Sequence, residues 1–467
     1  MESRQRALLA LEERSARTLD ELIEFSRIPG VSAHGYDAEV LDRSAAHVAE
    51  LMRGAGLRHV DVVRIEGAHP YVLGDWLDAG EDRPTVLIYA HHDVQPPGRA
   101  SHWETPAFEP TLRDDGRLYG RGVVDDKAGL MVHLAAVRAW LDAIGALPVN
   151  VKLIVEGEEE IGSPHLAEFL RAHRDRIAGD VIVLSDTANL QAGLPSLTTS
   201  LRGLVSIDVS VTALDHPLHS GMWGGPVLDA ATALARILAR LVDDSGRIAV
   251  PGLEDDVPEP SSDERERLRA LPFDPDSFRA EAGLAPAIQL GGDATLALYE
   301  RLWLRPSIAV TALEAAPLAT ASNQLIASAR ARVGVRLAPG QDPERARDRV
   351  VACLEADPPW GVRVTTEAEG PVPGWRTSAV GPAFEAARRA LAAGFGRDAV
   401  VIGCGGTIPF VGPFAEVLGG VPALLLGLED PLCNAHGENE SLLLADFEHA
   451  ARAAVHLLDE LRAVPTV

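Results

Sequence analysis

Cysteine is scarce in this chain: Cys353, Cys404 and Cys433 are the only three in 467 residues. An odd, widely spaced set makes neither a disulfide framework nor a zinc ribbon, and it predicts a reducing, cytoplasmic setting. Positive charge is also short, with 43 Lys and Arg against 68 Asp and Glu and a formal net charge of -25. That balance argues against nucleic acid or an anionic membrane surface as partner. No long hydrophobic run is present. The most apolar stretch, Val421 to Leu428, falls far short of the ~20 residues that span a bilayer. Met1 to Phe25 is charged and helix-like, without the basic-then-apolar order of a signal peptide. No repeat or low-complexity tract stands out. What is present is an apolar content of 46%, ordinary for a globular protein, in a chain long enough for two or three domains.

The first part alternates short apolar runs with helical spacing. Thr85 to Ala90, Val149 to Val155 and Val181 to Leu184 read as buried strands. Lys127 to Ile144 carries Leu130, Leu134, Val137 and Leu141 on one stripe. This order predicts an α/β sheet flanked by helices. After Gly203 the pattern changes. Leu204 to Thr212 places Val205, Ile207, Val209 and Val211 on one face. A helix near 229–242, strands near 307–313 and 327–337, a helix near 343–356 and a strand at 362–366 follow. The order β-α-β-β-α-β is that of a ferredoxin-like sandwich. Residues 243–292, acidic and proline-bearing, read as an insertion with local helices. The first pattern returns with strands at Val400–Ile402 and Ala423–Leu426 and a helix over 446–461. The expected fold is an α/β domain, residues 1–200 and 371–467, interrupted by a second domain at 201–370.

Five polar segments draw attention, four of them directly after an expected strand: His91-His92-Asp93, Gly120 to Lys127 with Asp125-Asp126, Glu156 to Glu160, Ser185-Asp186, and Asn434 to Glu440 with His436. Ligand sites in open α/β sheets lie at the carboxyl ends of strands, so such clusters can converge on one crevice. Two imidazoles among several carboxylates suit zinc, manganese or cobalt and are too nitrogen-rich for a dedicated calcium site. Any one cluster alone is more often a solvated loop.

The phrases Ala90-His91-His92-Asp93-Val94-Gln95-Pro96, Tyr119-Gly120-Arg121-Gly122 through Asp125-Asp126-Lys127, and Leu218-His219-Ser220-Gly221 carry a family resemblance. The chain resembles the di-zinc metallopeptidases that include carnosinases, aminoacylases, glutamate carboxypeptidases and succinyl-diaminopimelate desuccinylase, most of all the dipeptidase branch. The resemblance implies a zinc-peptidase-like catalytic domain with a ferredoxin-like lid and dimerisation domain. It implies two divalent ions per chain, zinc before manganese or cobalt. Asp125 bridges them, His91 and Asp186 complete one, and Glu160 and His436 complete the other. Glu159 is implied as general base and Asp93 as the group that orients His91. A cis peptide is implied at Asp125–Asp126. His219 is implied to stabilise the oxyanion in the partner subunit's site; a surface-loop histidine is the alternative reading. Arg336, Asn323, Gly406 and Thr407 match positions that hold the substrate carboxylate. Arg336 reads otherwise as a solvent-facing strand residue, and Gly405-Gly406-Thr407 as an ordinary tight turn.

His92, Glu156, Glu158, His133, His449, His456 and Trp223 are set aside as packing, supporting or surface residues. Two departures bear on substrate: Gly374-Trp375-Arg376-Thr377 lacks the histidine that carnosinases carry after the lid, and Ser185-Asp186-Thr187 replaces Ser-Asp-Asn. The expected reaction is hydrolysis of a peptide bond in a small substrate, with Glu159 moving the proton from water to the leaving amine. An N-acyl or N-carbamoyl amino-acid amidohydrolase is the alternative, and a silent binding relative the third. The expected partners are a small peptide or N-acyl amino acid and a second copy of the chain, with no nucleic acid and no membrane.

Overall fold

The computed structural model describes residues 2–408 and 411–466. The chain divides into two compact units. The larger is Met1–Thr199, Ser378–Ile402 and Ile408–Val467; the smaller is Ser200–Thr377 with Gly403–Thr407.

The larger unit is built on a mixed sheet. Its strands run in the order Arg58–Val63, Tyr71–Trp76, Asn150–Glu156, Thr85–His91, Val181–Ala188, Ala423–Glu429 and Ser196–Leu201. The four from Asn150–Glu156 to Ala423–Glu429 are parallel to one another. Parallel strands are covered on both faces, which is why these read as unbroken apolar runs: Val86, Leu87, Ile88, Tyr89 and Ala90 are all buried. Their carboxyl ends, near His91, Glu156, Asp186 and Glu429, lie at one edge of the sheet. The helix Lys127–Ile144 is apolar nearly all round because it is enclosed. It packs on the sheet and against the helices Ser3–Glu13 and Leu444–Glu460. Gly145 ends it in the left-handed conformation that favours glycine.

The smaller unit has a four-stranded antiparallel sheet ordered Ser307–Glu314, Ser328–Leu337, Gly203–Thr212, Arg363–Ala368. In chain order this is β-α-β-β-α-β with spatial order 2-3-1-4, the ferredoxin-like arrangement. Gly203–Thr212 alternates buried and half-buried at every residue. Val205, Ile207, Val209 and Val211 turn to a core shared with Val333, Val335 and Leu337 and with the helices Ala230–Leu238 and Pro343–Glu355. The helix expected near 229–242 is shorter than its apolar pattern, stopping at Leu238. The 243–292 segment contributes the helices Ser262–Ala270 and Pro275–Glu281. No helix among the described residues is long and apolar enough to cross a membrane.

Candidate metal centre

The strand Thr85–His91 delivers His91, fully buried, to the carboxyl edge of the large sheet. Its Nε2 lies 3.0 Å from Asp125 Oδ1 and 3.8 Å from Asp186 Oδ2. The other oxygen of Asp125 faces His436, 2.9 Å from its Nε2, and that nitrogen is 3.1 Å from Glu160. Asp125 therefore presents one oxygen to each histidine. Three overlapping trios have donor atoms within 4.8 Å of one another: His91 with Asp126 and Asp186, His91 with Asp125 and Glu160, and Asp125 with Asp186 and Glu429. The five residues His91, Asp125, Glu160, Asp186 and His436 are thus brought together although they span most of the chain.

Asp93 ties the supporting frame. Its carboxylate accepts the backbone N–H groups of Glu159 and Glu160 at 3.2 and 3.0 Å. It also lies 3.5 Å from His91 Nδ1, leaving Nε2 toward Asp125. Glu159 and Glu160 open a single 3-10 turn, Glu159–Ile161. The peptide between Asp125 and Asp126 is cis.

Three residues with a role here did not stand out from sequence. Asp126 is buried, accepts the N–H of His91 through Oδ2, and leaves Oδ1 with no partner. Glu440 accepts N–H groups from Gly122 at 3.0 Å and Val124 at 3.2 Å, and pairs with Arg121 at 2.7 Å. Arg121 in turn donates to the carbonyls of His436 and Gly437. This buried pair locks the loop before Asp125 to the loop carrying His436. Gly122 is required there: its φ is +74°, and a Cβ would sit 2.3 Å from Val94. The third is Glu429, half-buried at the end of its strand, whose carboxylate has no hydrogen-bond or ion-pair partner among the described residues.

The residues set aside have ordinary partners. His92 contacts Ser44 and the carbonyl of Pro70. Glu156 accepts from Tyr71 and Tyr89, Glu158 from Tyr71, and Ser185 and His133 lie 3.0 Å apart.

The electrostatics fit divalent cations. Burial, with the charges of the neighbouring carboxylates added to it, raises the carboxyls of Glu159, Asp126, Asp186 and Glu429. The same causes push Glu160 up to about 7. Among the described residues, His91 and His436 are the positive groups that act on Asp125 and Glu160 inside this cluster. A buried group of carboxylates and two imidazoles, with Asp126 Oδ1 orphaned, has the donor chemistry and the charge deficit that a pair of dications would satisfy.

The smaller unit holds the remaining residues of interest. His219 is exposed, sits opposite Gln324 in a two-residue ladder, and caps Gly221 through Nδ1 at 3.1 Å. The carbonyl of the exposed Asn323 accepts the next N–H, that of Ser220, at 2.8 Å. Arg336 is half-buried and donates to Thr407 Oγ1 at 2.7 Å, while Gly406 lies in the same turn.

A sequence profile described as Peptidase family M20/M25/M40 matches residues 87–460. The chain is 31% identical over 454 residues to a Corynebacterium striatum protein named cysteinylglycine-S-conjugate dipeptidase, covering 96% of this chain and 95% of that one. It is 31% identical over 420 residues to the Beta-Ala-His dipeptidase of Rattus norvegicus, covering 86% and 84%. The crystal structure of human carnosine dipeptidase 1 superposes with a TM-score of 0.87 at 26% identity, over 99% of this chain and 100% of that one. With a profile match over most of its length and a relative of this identity along nearly all of it, the chain belongs to peptidase family M20/M25/M40.

Proposed function

We propose that this protein is a metal-dependent dipeptidase that holds two divalent ions, zinc foremost, between His91 and Asp186 on one side and Glu160 and His436 on the other, with Asp125 shared. The observation that carries the reading is the placement of Asp125, one oxygen toward each histidine, in a buried and carboxylate-rich cluster. When bound, such ions supply Lewis-acid activation of the scissile carbonyl and of water. The protein's own part is proton transfer. Glu159, next in sequence to Glu160 and fixed through its N–H by Asp93, takes a proton from the attacking water and returns it to the departing amine nitrogen. Asp93 orients His91. His219, Asn323, Arg336, Gly406 and Thr407 serve the substrate, Arg336 and Thr407 at its carboxylate end. The relatives' names, both dipeptidases, support this substrate class.

Glu429 favours dipeptides over N-acyl or N-carbamoyl amino acids. An unpartnered carboxylate beside Asp125 and Asp186 is an acceptor for a free α-ammonium and a poor neighbour for an acyl cap. The proposal includes a homodimer formed through the smaller unit, with His219 acting in the partner's site. Its support is the outer strand Ser307–Glu314, whose Val310 and Leu313 are exposed on a sheet edge. Three free cysteines accord with a reducing cytoplasm.

The test is a hydrolysis panel of dipeptides, N-acyl and N-carbamoyl amino acids with zinc, manganese or cobalt. Dipeptide turnover is expected with at least one metal. Turnover confined to N-capped amino acids would replace the reading with the amidohydrolase one, and no turnover of any substrate would remove both. For His219, mixing Glu159→Gln chains with His219→Ala chains restores part of the activity if the site is shared between subunits; a dead mixture after verified exchange removes that element.

A further inference from the structure

Three consecutive acids, Glu158, Glu159 and Glu160, follow the strand Asn150–Glu156. Glu160 faces His436, and Glu159 is the proposed base. Glu158 is buried, and no lysine or arginine pairs with it among the described residues. A buried carboxylate is costly unless its oxygens are satisfied, and four contacts satisfy this one. The Tyr71 hydroxyl and the backbone N–H of His165 donate to Oε1 at 2.7 and 3.1 Å. The backbone N–H of His69 donates to Oε2 at 3.4 Å, and His165 Nδ1 lies 3.0 Å from the same oxygen.

The local sequence explains how Glu158 reaches these partners. Gly157 lets the chain run hard against its neighbours: a Cβ there would sit 2.5 Å from the Pro70 carbonyl oxygen and 2.8 Å from His92 Nε2. Tyr71 opens the strand Tyr71–Trp76, whose Val72 stands opposite Val155, one residue before the end of the neighbouring strand. The Tyr71 ring stacks on Phe169 with centroids 3.9 Å apart. Phe169 belongs to the helix Leu166–Ala172, which His165 caps. The phenol also reaches Glu156 at 3.2 Å. Burial, with the charges of Glu156 and Glu158 added to it, pushes the phenol far above its usual range, so it stays a donor.

Glu158 thereby ties together the two ends of one loop. Its backbone carbonyl accepts from Ile161 and Ser163 at 3.3 and 3.0 Å, while its carboxylate holds the N–H of His165. Glu159 and Glu160 lie between these ends. Their own N–H groups go to Asp93. The turn that carries Glu159 is therefore gripped by two buried carboxylates, Asp93 at its N–H groups and Glu158 through Tyr71 and His165. All of these residues belong to the larger unit.

We propose that Glu158 is a positioning residue for the general base: anchored on Tyr71 and His165, it sets where the Glu159 carboxylate stands beside the Asp125 cluster, and so acts on kcat through Glu159. The inference rests on the role given above to Glu159 and holds for a dipeptide or an N-acyl amino acid alike.

The experiment is a double-mutant cycle on the zinc-loaded enzyme with alanyl-leucine as substrate, zinc content being measured for each variant. Its corners are wild type, Glu158→Ala, Glu159→Gln and the double variant, with Glu158→Gln and Tyr71→Phe alongside. Glu158→Ala lowers kcat by about 10–100-fold, the order expected when a reacting group is misplaced by ~1 Å, while KM and zinc content hold. Glu158→Gln keeps the shape and an acceptor oxygen and recovers most of the turnover; Tyr71→Phe falls between. In the Glu159→Gln background Glu158→Ala costs nothing further, because the group it positions is already gone. A residue that merely holds the fold would lower the double variant by the same factor again, or lower kcat and zinc content in step. Either result overturns the proposal, as does an unchanged kcat in Glu158→Ala. If Glu158→Ala does not fold, Tyr71→Phe takes its corner of the cycle: only a hydroxyl is lost, and wild-type turnover there overturns the proposal. The dipeptidase reading fails separately. If wild type cleaves only N-acetyl-leucine, that reading falls and the same cycle on that substrate decides the role of Glu158. Near-normal turnover in Glu159→Gln alone, or no turnover of any substrate by wild type, removes the base and its positioning residue together.

Discussion

At the scale of single residues, the roles proposed for Glu159 and His436 separate proton transfer from metal holding. Glu159→Gln keeps its shape and its N–H bond to Asp93, so the protein keeps its metal while turnover falls by ~10²–10⁴. His436→Ala removes a nitrogen 2.9 Å from Asp125 and loses metal as well. Metal content by plasma spectrometry beside turnover distinguishes the two; near-normal turnover in Glu159→Gln would require a different base. A second prediction concerns pH. His133 is buried on the long helix, and burial holds its imidazole down at about 4. Between pH 6.5 and about 4 the unfolded chain binds a proton that the folded protein refuses. Stability therefore falls as pH drops through this window, by up to about 3 kcal/mol. Thermal melts of metal-free protein should show the decline, and His133→Gln should make it shallower; parallel curves would contradict the assignment. Residues of this kind mark what was legible in the sequence. His91, Glu160, Asp186 and His436 could be picked out because each sits in a short polar cluster after an apolar run, and Asp125 because its polar cluster opens the long apolar helix. Arg121 and Glu440 could not be weighted, because the meaning of each is a partner 319 positions away.

At the scale of elements, the parallel strands were legible because burial on both faces leaves nothing but apolar residues, and the strands of the smaller unit because one buried face forces alternation. Loop geometry was less so. The 434–439 loop places Asn434, His436 and Asn439 at positive φ, and no composition rule announces that. What holds this loop is the Arg121–Glu440 pair, whose partners are 1% and 0% exposed as side chains. Glu440→Gln strips the charge from a buried pair and weakens three backbone contacts at once. The expected cost is about 3–5 kcal/mol of stability, with metal affinity falling ~10–100-fold because the loops of Asp125 and His436 lose their common anchor. Denaturant melts and competition with a chromogenic chelator measure the two. A stable variant with unaltered zinc affinity would show that the pair does not organise the centre.

At the scale of the whole molecule, the two units have separate hydrophobic cores. All five residues proposed as ligands belong to the larger one. Metal bound to the folded state alone stabilises it by about 2.7 kcal/mol at a free concentration 100 times Kd. Calorimetry with and without chelator should therefore move the transition of the larger unit and leave that of the smaller one in place. Equal displacement of both would mean that they melt as one cooperative body, and no displacement would argue against tight metal binding.

The order of strands in the large sheet has a consequence for biosynthesis. Ala423–Glu429 lies between Val181–Ala188 and Ser196–Leu201, yet it leaves the ribosome long after both. The smaller unit, continuous over Ser200–Thr377 apart from its 403–407 turn, is nearly complete before that strand exists. During translation the nascent chain therefore carries a gap within its main sheet, between Val181–Ala188 and Ser196–Leu201, with two open strand edges and a cluster still missing His436. Such edges invite pairing with other chains. The interval between synthesis of the smaller unit and arrival of residue 429 is when this protein most needs a chaperone, and a metal held as proposed would not substitute for one, because His436, which faces Asp125, has not yet been made.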